Sequence, residues 1–121
     1  MREKAAKGFA TRFDRPPTLV VRAPGRVNLL GGHTDYNEGY VLPAAVGQAA
    51  WVAAAPLDEP RVHVVALDIE EEAVFSLSPV PPPAGNWADY PRGVAWALRE
   101  AGFSPTGMQA VLTSDVPIGA G

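Results

Sequence analysis

The run Pro79-Val80-Pro81-Pro82-Pro83-Ala84-Gly85 constrains the fold more than any other feature of this chain. Proline has no backbone N–H to give to a ladder and holds φ near one value, so the run is expected as an exposed loop of polyproline character. A run of this kind could mark a linker between domains. The segments on either side are each too small to fold alone, so it reads as a loop inside one domain spanning residues 1–121. With 121 residues, 47% of them hydrophobic, one modest core is within reach.

Around that loop the pattern alternates between helix and strand signals. Ala5, Phe9 and Phe13 recur at helical spacing and give residues 1–13 one apolar edge, although Gly8 weakens a helix there. Pro16-Pro17 ends it. Residues 18–23 are β-branched and apolar and predict a strand, stopped by Pro24-Gly25. A short apolar run, 27–30, precedes a turn-rich stretch, 31–39. Two further strands are expected at 40–42 and 48–55, separated by Pro43 and Gly47. Residues 61–67 and 72–77 predict a hairpin across the acidic turn 68–71. Residues 89–101 give the strongest helix signal, with Val94, Leu98 and Ala101 as its apolar stripe and Ala97 beside them. Asp89 is expected as its N-cap, Pro91 in its first turn and Gly102 just past its end. A last strand at 108–113 runs into Ser114-Asp115-Val116-Pro117. The apolar residues around Trp51 and Trp96 read as core. The fold class implied is α+β, a mixed β-sheet with packed helices.

Several functions are excluded at this level. The chain has no cysteine, hence no disulfide, thiolate metal site or thiol nucleophile, and its two histidines, His33 and His63, do not make a metal cage. A net charge of −3 and a pI near 5.3, with no cluster of Lys and Arg, argue against a nucleic-acid partner. No run of about 18 apolar residues is present, so no membrane-spanning helix is expected. The charged N-terminus lacks the apolar stretch of a signal peptide, which predicts a cytoplasmic protein. His63, inside an apolar strand, reads as packed or outward-facing, and residues 68–72 read as a solvated turn rather than a metal site.

The chemistry concentrates in Ala23-Pro24-Gly25-Arg26-Val27-Asn28-Leu29-Leu30-Gly31-Gly32-His33-Thr34-Asp35-Tyr36-Asn37-Glu38-Gly39. Arg26, His33, Asp35, Tyr36 and Asn37 fall among glycines that let the backbone turn tightly. A sugar presents hydroxyls that both donate and accept. A carboxylate accepts two such hydrogen bonds, and His, Asn and Tyr add mixed donors and acceptors. A nearby arginine supplies fixed positive charge where a hydroxyl becomes a nucleophile or a phosphoryl group is stabilised. Composition alone leaves an ordinary polar turn as the competing reading, since Asp, Asn and Gly are default turn formers.

The same stretch resembles the galactokinase signature nearly position for position, from Gly25-Arg26-Val27-Asn28 to Val41-Leu42-Pro43. Asn86-Trp87-Ala88-Asp89-Tyr90 is similar to that family's Trp-Ala-x-Tyr segment. Ser114-Asp115-Val116-Pro117-Ile118-Gly119-Ala120-Gly121 is similar to the opening of its glycine-rich, ATP-phosphate loop. The resemblance runs from Phe9 onward. It implies an N-terminal domain of the GHMP kinase superfamily, with the ribosomal protein S5 domain 2-like fold, holding a galactose-binding signature at 23–39 and the start of an ATP-binding loop at 115–121. The activity implied for the whole enzyme is ATP-dependent phosphorylation of galactose at its C1 hydroxyl.

Carried over residue by residue, the resemblance implies that Arg26 lies beside the acceptor hydroxyl as a catalytic group, and that His33, Asp35 and Tyr36 contact the sugar, with Asp35 as the main acceptor. Trp87 would offer a stacking surface near the adenine, and Gly119, Ala120 and Gly121 would bring backbone N–H groups to the phosphates. The magnesium ligands, the catalytic aspartate and the serines of the loop are expected beyond residue 121, so the 121 residues alone are expected to be inactive without the C-terminal part of the kinase. Gly32 stands where the family usually has Glu, a sugar-hydroxyl ligand, which leaves open a related GHMP kinase for another sugar. A non-catalytic sugar sensor is the other alternative.

Overall fold

The computed structural model describes residues 1–33 and 37–120. Helix α1 (Arg2–Phe13) opens the chain and ends at Asp14, which adopts the left-handed conformation (φ 55°) just ahead of Pro16-Pro17. Five strands follow: β1 (Leu19–Leu30), β2 (Leu42–Pro56), β3 (Arg61–Ala66), β4 (Glu71–Ser76) and β5 (Met108–Ser114), with helix α2 (Asp89–Glu100) between the last two. They form one mixed sheet in the order β1-β2-β5-β3-β4. All neighbours are antiparallel except β3 and β5, which run parallel. The hairpin β3–β4, the proline loop and α2 thus form the crossover that returns β5 to the sheet centre, between β2 and β3. The α+β class is the one expected.

Strand periodicity explains why both sheet faces are covered. On one face Ala53, Ala55 and Val111 pack against Ala5 and Phe9 of α1, with Val20, Trp51, Val65 and Leu67 around them. On the other, Ala54, Val62, Val64, Phe75 and Ala110 pack with Leu77 and with Ala95 of α2. Successive residues of the central strands therefore serve opposite layers, as a pleated backbone requires. Gly8 has a reason to interrupt α1: a Cβ there would lie 2.7 Å from Leu67 Cδ1, so glycine lets the helix settle onto the sheet.

Three sequence expectations need correcting. Pro24-Gly25 does not stop the first strand, and Pro43 and Gly47 do not divide the second. Each is one long strand that absorbs its breakers at register shifts, between Pro24 and Arg26 and between Asn28 and Leu30. β1 is an edge strand, where a proline costs no ladder bond on its open side. The hydrophobic stripe of α2 is also displaced. The helix buries Arg92 and Ala95, while Val94 (62% exposed), Leu98 (39%) and Trp96 (56%) face outward and Ala101 is exposed. Trp96 is accordingly not core. Third, Asp89 is the first helical residue rather than the N-cap, which is Ala88. Its carboxylate reaches back to accept the backbone N–H groups of Ala84 (2.9 Å) and Gly85 (2.8 Å) and pairs with Arg92. It thereby closes the proline loop onto the helix start.

Candidate active site

Arg26 follows the larger of the two β1 irregularities. Pro24 pairs with Ala49 and Arg26 with Ala45, so β2 carries two more residues than β1 across this interval. Bulges of this kind bend the strand and re-aim side chains. Arg22, whose guanidinium lies over the Trp51 ring (5.8 Å to its centroid), donates to the Gly47 carbonyl at 2.9 Å and pins the bulged segment. Gly25 is buried inside this irregularity. A Cβ built on it would lie 3.0 Å from Val116 Cγ2 and 3.2 Å from Val46 Cγ2, so the chain leaving β5 passes directly against β1 here.

That close approach brings the two ends of the candidate site together. Arg26, Val27, Asn28 and Ala120 line one polar concavity of about 300 Å³. Residues 117–120 form a turn in which the Ala120 N–H donates to the Pro117 carbonyl (3.0 Å) and Gly119 has φ +82°, the pattern of a type II turn. The Ala120 N–H is thus engaged within the turn in this conformation rather than presented outward. The Arg26 guanidinium is exposed and, among the described residues, takes part in no ion pair. It supplies a fixed positive charge at the rim of the concavity.

The bend after β1 is held by Gly31 (φ 85°) and Glu38 (φ 58°), both in the left-handed region. The side-chain amide of Asn37 donates to the His33 carbonyl at 2.8 Å and closes the bend. His33 is exposed on it. Asp35 and Tyr36, the other expected sugar ligands, lie outside the described residues, as does Gly121. Among the described residues nothing lies within 4 Å of a Cβ built on Gly32.

Trp87 is not brought to this site. It packs on the α2-side core, and its indole N–H donates to Glu71 Oε2 at 2.7 Å, at the start of β4. Arg26 is on β1, the opposite edge strand. Four inter-strand steps separate the two edges, roughly 19 Å.

The structure also assigns roles that the sequence concealed. Asp68 is more than a solvated turn residue: it accepts from Lys4 Nζ (2.7 Å), Thr113 Oγ1 (2.9 Å) and the Ser114 N–H (2.7 Å). Partial burial acts to raise its pKa, but these hydrogen bonds outweigh it and hold the carboxyl below its ordinary value. Asp115 accepts the Ala49 N–H at 2.7 Å. All of these bonds join residues at least 45 positions apart, so no local signal in the sequence marks them. His63 is packed, edge-on to Phe13 (5.2 Å between centroids) and 3.1 Å from Glu72 Oε2. Among the described residues no three His, Cys, Asp or Glu side chains are grouped to hold a metal ion, and no helix is long and apolar enough to cross a membrane.

A mixed sheet with α1 on one face, α2 on the other and a glycine-bearing turn returning from its central strand to the edge strand matches the N-terminal domain of GHMP kinase structures. The same fold is found in a crystal structure of mevalonate kinase, which superposes with a TM-score of 0.66 at 19% identity over 84% of this chain. Within that class the sequence matches galactokinases. The galactokinase galactose-binding signature matches residues 7–56. The galactokinases of Roseiflexus sp. (strain RS-1) and Chloroflexus aggregans are 45% and 43% identical, each over 93% of this chain. The Lactococcus lactis galactokinase complexed with galactose superposes with a TM-score of 0.78 at 28% identity, covering 93% of this chain. The chain corresponds to the N-terminal portion of galactokinases. It spans 29% of the length of the two curated relatives and 30% of the L. lactis chain.

Proposed function

We propose that this chain forms the sugar-holding and phosphate-facing portion of an ATP-dependent kinase that phosphorylates galactose at its C1 hydroxyl. The observation that carries the reading is the shared concavity of Arg26 and Ala120: a signature for binding galactose and a glycine-bearing turn meet at one fixed positive charge. Phosphoryl transfer depends on alignment and on neutralising charge that develops on the transferring group. Arg26 supplies that charge beside the acceptor oxygen. His33, Asp35 and Tyr36 hold the sugar hydroxyls, with Asp35 as the principal acceptor. Gly119, Ala120 and Gly121 offer backbone N–H groups to the phosphates, which requires the 117–120 turn to open at Ala120. Trp87, held by Glu71 toward the other edge of the sheet, would meet only the adenine end of the nucleotide, away from Arg26. ATP supplies the phosphoryl group. Among the described residues no three His, Cys, Asp or Glu side chains are grouped to hold a metal ion, and magnesium would be held by other parts of the whole kinase.

A second reading is favoured by one observation. Among the described residues nothing lies within 4 Å of a Cβ on Gly32, where a carboxylate would contact the sugar, and a substituent on a different monosaccharide would fit there.

Joining residues 1–121 to the remaining part of the Roseiflexus galactokinase, and following ADP formation with a panel of monosaccharides, tests both readings. ADP formation greatest with galactose supports the proposal. Preference for a substituted sugar selects the second reading. Thermal stabilisation by galactose without ADP formation would make the protein a sensor.

A further inference from the structure

β5 reaches the end of the sheet just as its neighbours part from it. On one side the ladder with β3 ends at Ala66 and Leu112, and β3 turns away into a short 3-10 turn at Leu67–Ile69. On the other side the last rung with β2 joins Ala50 to Ser114. Past those rungs, carboxylates replace main-chain partners. Asp68, from the 3-10 turn, accepts from the Ser114 N–H and from Thr113 Oγ1, whose residue is fully buried. Asp115 accepts the Ala49 N–H at 2.7 Å while its own N–H donates to the Ala49 carbonyl at 3.3 Å. Ser114 Oγ donates to that same carbonyl (3.3 Å) and accepts the Val116 N–H (3.0 Å). Residues 113–116 are therefore tied from both flanks, directly before the turn at 117–120.

The geometry points to Asp68 and Asp115 as positioning residues: they prolong the sheet past its last rungs and so fix the glycine-bearing turn beside Arg26. The catalytic consequence rests on the kinase reading above. The structural cause does not. What the site requires of Asp115 is an acceptor oxygen at a set distance from the Ala49 N–H rather than a negative charge. Asparagine keeps such an oxygen, whereas glutamate keeps the charge and carries it one methylene too far. A displacement of about 1 Å at a reacting group costs on the order of a hundredfold in rate.

The joined kinase described above provides the test. Asp115→Asn is expected to keep kcat within about threefold. Asp115→Glu and Asp68→Ala are expected to lower kcat about 10- to 100-fold, with the KM for galactose within about threefold. Lys4→Ala, which removes the ion pair from Asp68 but leaves its bonds to β5, is expected to leave turnover unchanged. In the same protein the amide resonances of Gly119 and Ala120 are expected to shift in Asp115→Glu and to stay in place in Asp115→Asn. Full turnover by Asp115→Glu, or equal loss in Asp115→Asn, would overturn the proposal. If the unsubstituted protein does not phosphorylate galactose, the kinase reading fails by itself. The resonances then decide the positioning role: a shift confined to Asp115→Glu upholds it, and unmoved resonances overturn it.

Discussion

Gly25 on β1 and Val116, just beyond β5, approach so closely that a methyl group on Gly25 would stand 3.0 Å from Val116 Cγ2. The contact joins the segment that resembles a sugar site to the segment that resembles a phosphate loop. Gly25→Val is expected to destabilise the chain by about 1–3 kcal/mol through overpacking. Gly25→Ala, which needs only small shifts of two valine tips, is expected to cost less. Urea denaturation of both variants measures the difference. Equal stability of Gly25→Val and the parent would mean that the two segments part freely.

The α1 face of the core predicts a sharp contrast. Phe9 is fully buried among Ala5, Ala53, Ala55 and Val111, with Phe13 4.9 Å away between ring centroids. Phe9→Ala is expected to cost about 3–5 kcal/mol. Val21, equally apolar but 52% exposed on β1, is expected to tolerate serine within about 0.5 kcal/mol. Chemical denaturation midpoints check both.

Stability should fall in acid for a nameable reason. The Asp68 carboxyl is held below its ordinary pKa by Lys4, Ser114 and Thr113 against the opposing effect of burial, and that of Glu72 by His63 and Arg12. A lowered folded pKa gives stabilisation that is complete above the ordinary carboxylate range and is lost as pH falls through the lowered value. Melting temperature followed downward from about pH 6 to about pH 3 should decline. Asp68→Asn should flatten part of that decline and lower the plateau above it.

Gly32 gives the prediction on specificity. No described residue lies within 4 Å of a Cβ built there, and the galactokinase pattern usually places Glu at this position. Gly32→Glu is expected to tighten galactose binding in the joined kinase about 10- to 100-fold, the worth of about 1.5–3 kcal/mol for a charge-assisted hydrogen bond. Calorimetric titration with galactose measures it. Weaker binding would show that another side chain already fills the role.

The parts of the fold that the sequence disclosed are those governed by local periodicity. The β3–β4 hairpin, both helices and β5 were legible because alternation or a 3.6-residue stripe is a local signal. β1 and β2 were read as broken because Pro24, Pro43 and Gly47 are local breakers, and only pairing with a neighbouring strand reveals that bulges absorb them. The buried edge of α2 was misread for a related reason: Arg92 and Ala95 meet the sheet, and the more apolar Val94 and Leu98 do not. In the candidate site, the motif alone singles out Arg26. The contact of Gly25 with Val116 and the bonds of Asp68 and Asp115 join residues far apart in sequence, so no pattern along the chain could display them.

The central claim is that Arg26 and the 117–120 turn belong to one phosphoryl-transfer site, and the kinetics of Arg26→Ala in the joined kinase test it most directly. A fall in kcat of about 100-fold or more, with the KM for galactose changed only a few-fold, is the predicted result. Undiminished turnover by Arg26→Ala would contradict it.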